Sequence, residues 1–229
     1  MSQPAEQTSL QQQFDALHAH RVATMKPEDL QVNVDQRRQL VDTADRAGFV
    51  KAGDTVAPFV LEEVDGAHLT RDDLVADGAV VLVFFRFAGC PACNIALPHY
   101  DRTLAPGLKA AGARLVAVSP QVPAKLADIK TRHGLSFEVA SDRDNALARR
   151  FGILFEANEA SKAASLAKGT ALGEVTGTGT WELPMPTVVV IDRDRTVRFA
   201  AVSPDWLSRS EAEPILAAVT ALSAARRAA

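Results

Sequence analysis

The feature that most constrains the fold is a continuous run of β-favouring residues at 79–85, followed within five residues by a Cys-Pro-Ala-Cys segment at 90–93. A run of this length is typical of a strand buried on both faces, as in parallel sheets. Gly89 permits a sharp turn, and Pro91 suits the first position of a helix. The sequence therefore predicts a buried strand that passes directly into a helix capped by Cys90.

Further along the chain, strand and helix patterns alternate, which predicts a parallel sheet with right-handed crossovers. The predicted helices are 91–111, 125–133, 144–151 and 208–225, and the predicted strands are 113–118, 137–140, 187–191 and 196–202. The last two strands flank an Asp-Arg-Asp-Arg turn and should form an antiparallel hairpin. An insertion at about 156–180, expected to hold a short helix and a loop, interrupts the alternation. We therefore expect an α/β fold whose mixed sheet is parallel first and antiparallel last.

The first 50 residues predict a helical extension that precedes a main domain at 51–229. Apolar spacing indicates one helix at 9–25, and a proline followed by two acids starts a second at 27–48. A small hairpin around Asp65-Gly66 and a capped helical turn at 70–73 should follow. We expect the two helices to pack on their own domain, and contact with a second subunit in a homodimer is the alternative.

Charge and hydropathy exclude several classes of protein. Lys plus Arg number 25 and Asp plus Glu number 28, so no positive excess exists to hold a nucleic-acid backbone. No apolar stretch approaches the roughly 18 residues of a membrane span, and the N-terminus lacks the pattern of a secretory signal. The two cysteines are too close in sequence for a disulfide between them to stabilise the overall fold. We therefore expect a cytoplasmic protein with no membrane or nucleic-acid partner.

The spacing of the two cysteines predicts local redox chemistry. Amides and the helix dipole at the start of a helix are expected to lower the pKa of Cys90 and favour its thiolate. Cys93 lies one turn deeper, close enough to form a disulfide with an oxidised Cys90. Zinc binding and inert thiols are the alternatives, but zinc needs four ligands and His99 falls off the face of Cys93. No metal, haem or flavin is implied.

Several separated motifs resemble one known family. They are Phe84-Phe85-Arg86-Phe87-Ala88-Gly89-Cys90-Pro91-Ala92-Cys93-Asn94, then Val116-Ala117-Val118-Ser119-Pro120-Gln121, Trp181-Glu182-Leu183-Pro184-Met185-Pro186-Thr187 and Val190-Ile191-Asp192-Arg193-Asp194. Together they are similar to the peroxiredoxin-like branch of the alkyl hydroperoxide reductase/thiol-specific antioxidant (AhpC/TSA) family. The resemblance covers most of residues 10–222. It implies a thioredoxin fold with flanking helices.

The resemblance also assigns roles to two prolines. Pro98 corresponds to the proline that kinks the active-site helix in thioredoxin-like proteins, where a missing amide would bend the helix. Pro186 corresponds to a cis-proline that faces the cysteines before a strand. Because folded X-Pro bonds are cis in only about 5–6 % of cases, the resemblance alone supports the cis assignment.

Some residues depart from the family pattern. Peroxiredoxins carry Thr or Ser three residues before the attacking cysteine and Pro seven before it, where this chain has Phe87 and Val83. Another donor must then polarise the oxygen–oxygen bond, and the candidates are Arg86, Thr187 and the amides that start the helix. Gly89 and Ala92, which lie next to the cysteines, are small, and this predicts an open approach to the Cys90 sulfur.

Three further residues have two interpretations each. Arg86 either stabilises a thiolate or peroxide or forms an ordinary surface ion pair. Trp181 and Glu182 precede Pro186, and both could line the pocket. The alternative for Trp181 is packing into the core, and the alternative for Glu182 is an ordinary solvated side chain. Glu182 could also act as a proton shuttle.

The motifs and the resemblance together predict an antioxidant oxidoreductase. Cys90 would attack a hydroperoxide, Cys93 would close an intramolecular disulfide, and an external thiol of the thioredoxin, glutaredoxin or glutathione type would reduce it. A dithiol–disulfide oxidoreductase acting on protein or small disulfides is the first alternative. A redox sensor whose disulfide changes partner binding through the N-terminal helices is the second.

Overall fold

A computed structural model describes the backbone of residues 8–228 and the side chains of residues 8–224. The helices are α1 (Leu10–Thr24), α2 (Pro27–Thr43), α3 (Arg71–Leu74), α4 (Pro91–Thr103), α5 (Ala105–Ala110), α6 (Pro123–His133), α7 (Ala146–Arg150), α8 (Glu159–Ala167), α9 (Leu172–Thr176) and α10 (Ala212–Ala228). The strands are β1 (Val60–Glu63), β2 (His68–Thr70), β3 (Val80–Phe84), β4 (Arg114–Ser119), β5 (Glu138–Ser141), β6 (Leu154–Glu156), β7 (Glu182–Pro184), β8 (Thr187–Ile191) and β9 (Val197–Val202).

Seven strands form the central sheet, in the order β2-β1-β5-β4-β3-β8-β9. The three middle strands β5, β4 and β3 are parallel, and the β8–β9 hairpin adds antiparallel pairs beside β3. The predicted mixed α/β sheet is therefore confirmed. The early hairpin differs from the expected order, because β1 joins the opposite edge by antiparallel pairing with β5. Antiparallel pairs thus lie at both edges of the sheet.

All five residues of β3 are buried, as the apolar run at 79–85 predicts. Successive side chains alternate between the two faces of a strand. Val81 and Val83 join an apolar cluster with α1, α4 and α10, whereas Val80 and Leu82 join a second cluster on the other face with α3 and α7. The sheet therefore separates two cores, and the cysteines belong to the first of them.

The predicted helix at 91–111 is wrong in one respect, since the chain forms two helices there. The break falls at Leu104, between α4 and α5. Pro106 has no amide hydrogen to donate to the carbonyl four residues earlier, and its ring would clash with that carbonyl. The active-site helix α4 is consequently short, and it contains Pro98.

The insertion at 156–180 contains more structure than the sequence predicts. It holds two helices, α8 and α9, and the strands β6 and β7 on either side pair antiparallel as a separate two-stranded sheet. Each of these strands has only three residues, too few for an alternating pattern to stand out. The pair joins the two ends of the insertion, and α8 packs against α2 of the extension.

The N-terminal helices pack on their own domain. Leu10 and Phe14 of α1 are fully buried against the cluster around α4. The Glu211 carboxylate, just before α10, accepts hydrogen bonds from the amides of Leu10 and Gln11 at 3.1 and 3.0 Å. α2 ends at Thr43, short of the predicted residue 48, and a 3₁₀ turn at Arg46–Gly48 follows. Within the described residues, none of the helices combines the length and apolar character needed to cross a membrane.

Candidate active site

The helix that carries both cysteines begins as the sequence predicts. Cys90 is the N-cap of α4 and Pro91 occupies its first position. The Cys90 carbonyl accepts hydrogen bonds from the amides of Cys93 and Asn94, both at 3.0 Å. The Cys90 side chain, however, makes no capping hydrogen bond. The first turn of α4 therefore fixes the position of the sulfur without using it as the cap.

Two polar residues, Ser119 at the end of β4 and Gln121 just after it, hold the loop between β3 and α4. The Ser119 hydroxyl donates to the Arg86 carbonyl at 3.0 Å, and the Gln121 side-chain oxygen accepts from the Ala88 amide at 2.7 Å. Both partners are available because the carboxyl ends of the parallel strands β3 and β4 meet at one edge. The side-chain Nε2 of Gln121 also donates to the Val175 carbonyl at 3.1 Å, so Gln121 links the insertion to this loop.

Both cysteines are free thiols buried in the protein, and they contact each other. Cys90 is 2 % exposed and Cys93 is fully buried. The open approach expected from the small neighbours of Cys90 is therefore wrong for the sulfur itself, although Gly89 is exposed. Both cysteines belong to the same buried apolar cluster as Phe14 of α1 and Trp206, which follows β9.

The two thiols have opposite pKa shifts. A side-chain hydrogen bond to Cys93, followed by burial, raises the pKa of Cys90 well above its ordinary value. Burial also opposes charge on Cys93, but the hydrogen bond from Cys90 and the positive charge of Arg209 outweigh it and lower the pKa of Cys93. This reverses the expected lowered pKa of Cys90. The opposite directions of the two shifts favour ionisation of Cys93, beside Arg209, before ionisation of Cys90.

Arg209, in the link between β9 and α10, is a site residue that sequence reasoning missed. Its Nη2 lies 3.5 Å from the Cys93 sulfur, and its Nε donates to the Trp206 carbonyl at 3.1 Å. The guanidinium also lies over the Phe14 ring, 5.4 Å from the centroid. No local sequence pattern indicates a role for Arg209, because only the folding of the chain brings the segment between β9 and α10 next to the cysteines.

Arg86, at the end of β3, faces an aromatic surface. Its guanidinium carbon lies 4.3 Å from the Trp206 ring centroid and 5.5 Å from that of Phe87. Its Nε is buried and has no hydrogen-bond partner within the described chain. The interpretation of Arg86 as a surface ion pair is therefore wrong. Its charge lowers the pKa of each cysteine, although other contributions are larger.

The segment before β8 differs from its expected geometry. None of the peptide bonds in the described chain is cis, so the Met185–Pro186 bond is trans and the cis assignment is wrong. A trans bond is the ordinary preference for X-Pro. The segment connects β7 to β8, and the Pro186 carbonyl accepts a hydrogen bond from the Ser203 amide at 2.8 Å. The Thr187 hydroxyl donates to the Met185 carbonyl at 2.9 Å. That hydroxyl proton is therefore already engaged.

Trp181 and Glu182 face different surroundings. Trp181 lines a cavity of about 450 Å³ beside the cysteine loop. Glu182 instead pairs with Arg149 of α7 at 2.8 Å. Its carboxylate is thus directed to an ion pair away from the cavity lining, which offers no support for a proton shuttle.

The cavity extends from the cysteine loop to the helices of the extension and the insertion. Arg86, Phe87 and Gly89 form its inner end, and Trp206 and Trp181 form part of its wall. Further lining residues come from α2, α8 and α9: Asp29, Val32, Asn33, Gln36, Ser161, Ala164, Ser165, Leu172 and Val175. Its volume lies within the range of about 300–1,000 Å³ that is typical of small-molecule sites. Among the described residues, no group of three or more His, Cys, Asp or Glu side chains is arranged to hold a metal ion.

Comparison with known proteins defines the class of the molecule. The AhpC/TSA family profile matches residues 52–200, so the chain belongs to that family. "Peroxidoxin BcpB" from Mycobacterium tuberculosis has a similar crystal structure, with a TM-score of 0.58 and 27 % identity over 76 % of this chain and 98 % of that one. "Peroxiredoxin Bcp" of Escherichia coli (strain K12) is 28 % identical over 104 residues, 45 % of this chain and 65 % of its own length.

A third relative supports the fold. Reduced Prx3 from Vibrio vulnificus, solved in complex with hydrogen peroxide, has a TM-score of 0.59 at 23 % identity over 75 % of this chain and 99 % of that one. The thioredoxin-like fold and the membership of a family of cysteine peroxidases, both expected from the motifs, are confirmed.

Proposed function

We propose that this protein reduces hydroperoxides, with Cys90 as the attacking sulfur and Cys93 as first its base and then the resolving thiol. The observation that carries the proposal is the pair of free thiols at the start of α4, with Arg209 Nη2 3.5 Å from the Cys93 sulfur. A thiol is activated when an adjacent base can accept its proton. Cys90 also follows Gly89, which lines the cavity, whereas Cys93 is fully buried against Arg209. This geometry favours Cys90 as the sulfur that meets substrate.

The reaction begins with proton transfer from Cys90 to the Cys93 thiolate. The Cys90 sulfur then attacks the terminal oxygen of R–O–O–H, the oxygen–oxygen bond breaks, and Cys90 becomes a sulfenic acid. The leaving RO⁻ takes the proton from Cys93 and departs as ROH. The restored Cys93 thiolate attacks the Cys90 sulfur, forms the disulfide and releases hydroxide. The two sulfurs together lose two electrons, and the peroxide gains them.

Arg86 is the donor proposed to stabilise the leaving oxygen. Phe87 cannot supply the hydroxyl that other peroxiredoxins place there, and the Thr187 hydroxyl is engaged with a carbonyl. Arg86 has a buried, unpartnered Nε, and it lies close enough to Cys90 to influence its charge. A fixed cation at the position where negative charge develops lowers the barrier of such a step. We expect Arg86 to act in this way on the departing oxygen.

An external thiol must return the disulfide to the dithiol. Its thiolate would attack one sulfur of the disulfide, and a second thiol would release the mixed disulfide. Thioredoxin, glutaredoxin and glutathione all supply this chemistry. We propose Cys90 as the attacked sulfur, because it adjoins the exposed Gly89.

Single-turnover oxidation of cysteine variants tests the proposal. Cys93→Ser should still consume one hydroperoxide per chain and accumulate a sulfenic acid that dimedone traps. Cys90→Ser should react no faster than free cysteine, although it retains the thiol with the lower pKa. Equal first-turnover rates in wild type and Cys90→Ser would contradict the proposal. Faster reduction of insulin or glutathione disulfide than of peroxide by the wild type would favour the dithiol–disulfide oxidoreductase instead.

A further inference from the structure

A tight turn brings the chain from the end of β3 to Cys90. The Cys90 amide donates to the Phe87 carbonyl at 3.1 Å, which closes the turn over Ala88 and Gly89. Cys90 itself has an extended backbone, with φ −73° and ψ 118°, and its side chain makes no capping hydrogen bond. The helical hydrogen bonds of α4 therefore do not fix the residues before Cys90. Side chains from other parts of the chain hold this turn instead.

Both polar backbone groups of Ala88, inside the turn, are bound by side chains. Its amide donates to Gln121 Oε1 at 2.7 Å, and its carbonyl accepts from Asn94 Nδ2 at 2.7 Å. The same Asn94 nitrogen donates to the Cys90 carbonyl at 2.9 Å. Asn94 lies one residue after Cys93 on α4. Its side chain therefore joins the turn to the helix that carries both cysteines.

The other end of the Asn94 amide meets two donors at the end of α6. Its Oδ1 accepts from His133 Nε2 at 2.7 Å and from Arg132 Nη1 at 2.9 Å. A guanidinium can only donate and a backbone carbonyl can only accept, so the amide oxygen and nitrogen cannot exchange places. His133 must then carry a proton on Nε2. Two donated and two accepted hydrogen bonds thus fix the orientation of the amide.

We propose that Asn94 is a positioning residue, whose amide holds the turn against α4 so that the Cys90 sulfur stays within bonding reach of Cys93. The inference rests on the proposed disulfide between the two cysteines. An asparagine suits this role because it donates to two carbonyls and accepts from two donors at once, which a carboxylate of the same shape cannot do. Sulfurs held in this way form their disulfide at a higher effective concentration than loosely held ones.

Equilibrium with glutathione measures that effective concentration without peroxide. The protein dithiol reduces glutathione disulfide to two glutathione thiols, and the two protein sulfurs lose the two electrons as they form their own disulfide. Acid quenching and alkylation give the fractions of dithiol and disulfide. We expect Asn94→Ala to lower the equilibrium constant for disulfide formation about tenfold, since a misplacement of about 1 Å can cost up to 100-fold. An unchanged or raised constant would overturn the inference.

Asn94→Asp separates the donating amide from the shape of the side chain. A carboxylate can still accept from His133 and Arg132, but it cannot donate to the two backbone carbonyls. Its added negative charge disfavours thiolates, and this alone would raise the equilibrium constant. A lowered constant in Asn94→Asp therefore identifies the lost donors as the cause. A constant equal to that of wild type, or above it, would contradict the assignment.

The same constant distinguishes positioning from a purely structural role. A contact that stabilises the dithiol and disulfide forms equally leaves the constant unchanged, even where thermal unfolding shows a loss of stability. His133→Leu should lower the constant about threefold, because Arg132 still orients the amide. Arg102→Gln, exposed near the end of α4, is the matched control and should leave it unchanged. A loss in either variant as large as that of Asn94→Ala would overturn the role of the amide.

The fate of the Cys90 sulfenic acid tests Asn94 under peroxide turnover. In a single turnover, Cys93 competes with added dimedone for the oxidised sulfur. We expect Asn94→Ala to raise the ratio of dimedone adduct to disulfide about tenfold at fixed dimedone. The ratio is set after peroxide has reacted, so it does not depend on the rate of oxidation. Equal ratios in Asn94→Ala and wild type would contradict the positioning role, whereas a wild type that consumes no peroxide would refute only the proposed function.

Discussion

Cys90 and Cys93 lie in the same turn of α4, yet their surroundings differ. On the side of Cys90, Arg86 stacks on Trp206 and the cavity begins at Gly89. On the side of Cys93, Arg209 lies 3.5 Å from the sulfur and Phe14 of α1 closes the packing. The cation nearest to a sulfur thus lies beside Cys93, whereas the cavity begins beside Cys90. The pKa of Cys93 is lowered, whereas Cys90 is the sulfur next to the residue that lines the cavity.

Removing the packing on the Cys93 side should have the largest effect on stability. Phe14 is 1 % exposed, and Phe14→Ala should lower the free energy of unfolding by about 3–5 kcal/mol, because it leaves a cavity between α1 and α4. Urea denaturation measures the change. Val22→Ala, on the exposed side of the same helix, is the control and should cost less than about 0.5 kcal/mol. Similar losses for the two variants would show that α1 does not close this side.

The cation on the Cys90 side should matter for the chemical step itself. Arg86→Met is expected to lower the rate constant for oxidation by hydrogen peroxide about 100-fold, as loss of an oxyanion donor does in other enzymes. Raising the pH should not restore the rate, since the lost group acts on the leaving oxygen. Stopped-flow fluorescence measures both quantities. Recovery of the wild-type rate at high pH would assign Arg86 to thiol ionisation alone.

The cation on the Cys93 side should act through pH. Arg209 helps to lower the pKa of Cys93, so Arg209→Met should raise that pKa and leave less thiolate at neutral pH. The pH–rate profile should therefore shift to higher pH, and the rate should fall most at the acidic end of the profile. It should recover as the pH rises above the new pKa. Arg209→Lys should recover part of the shift, and a pH profile identical to that of wild type would contradict this role.

Loss of the aromatic support under Arg86 should have the smallest effect. The guanidinium carbon lies 4.3 Å from the Trp206 ring centroid, and cation–π contacts contribute about 0.5–2 kcal/mol. Trp206→Leu removes the contact and keeps an apolar side chain. We expect a roughly threefold lower rate of peroxide oxidation. A drop as large as that of Arg86→Met would mean that Trp206 itself donates to the peroxide.

The sequence identifies one side of this comparison far better than the other. The buried strand, the turn at Gly89 and the cap at Cys90 are local features, and each lies where its pattern predicts. Arg209 and Trp206 come from a link more than 100 residues away, so only tertiary packing brings them to the sulfurs. The pKa order of the cysteines depends on their mutual hydrogen bond, on burial and on Arg209, none of which the local sequence pattern shows. For that reason the helix start alone predicts it wrongly.

The cavity could not be predicted for a similar reason. Its walls combine α2 from the extension with α8 and α9 from the insertion, segments more than 100 residues apart. The sequence indicates that helices exist in both segments, but it does not show that they face each other. The sequence does indicate Trp181 as a candidate, because it begins the motif that ends at Thr187. Arg21 lies in a helix with an ordinary amphipathic pattern, and nothing in that pattern indicates its proximity to Cys90.

The most direct test of the opposite pKa shifts of the two thiols is the thiolate absorbance at 240 nm, measured against pH in the fully reduced protein. The account predicts two separate steps. One thiol should ionise well below the ordinary cysteine pKa of about 8.5, and the other well above it. A single step that releases both protons near pH 8.5 would contradict the account, because it would show two independent thiols with no charge held between them.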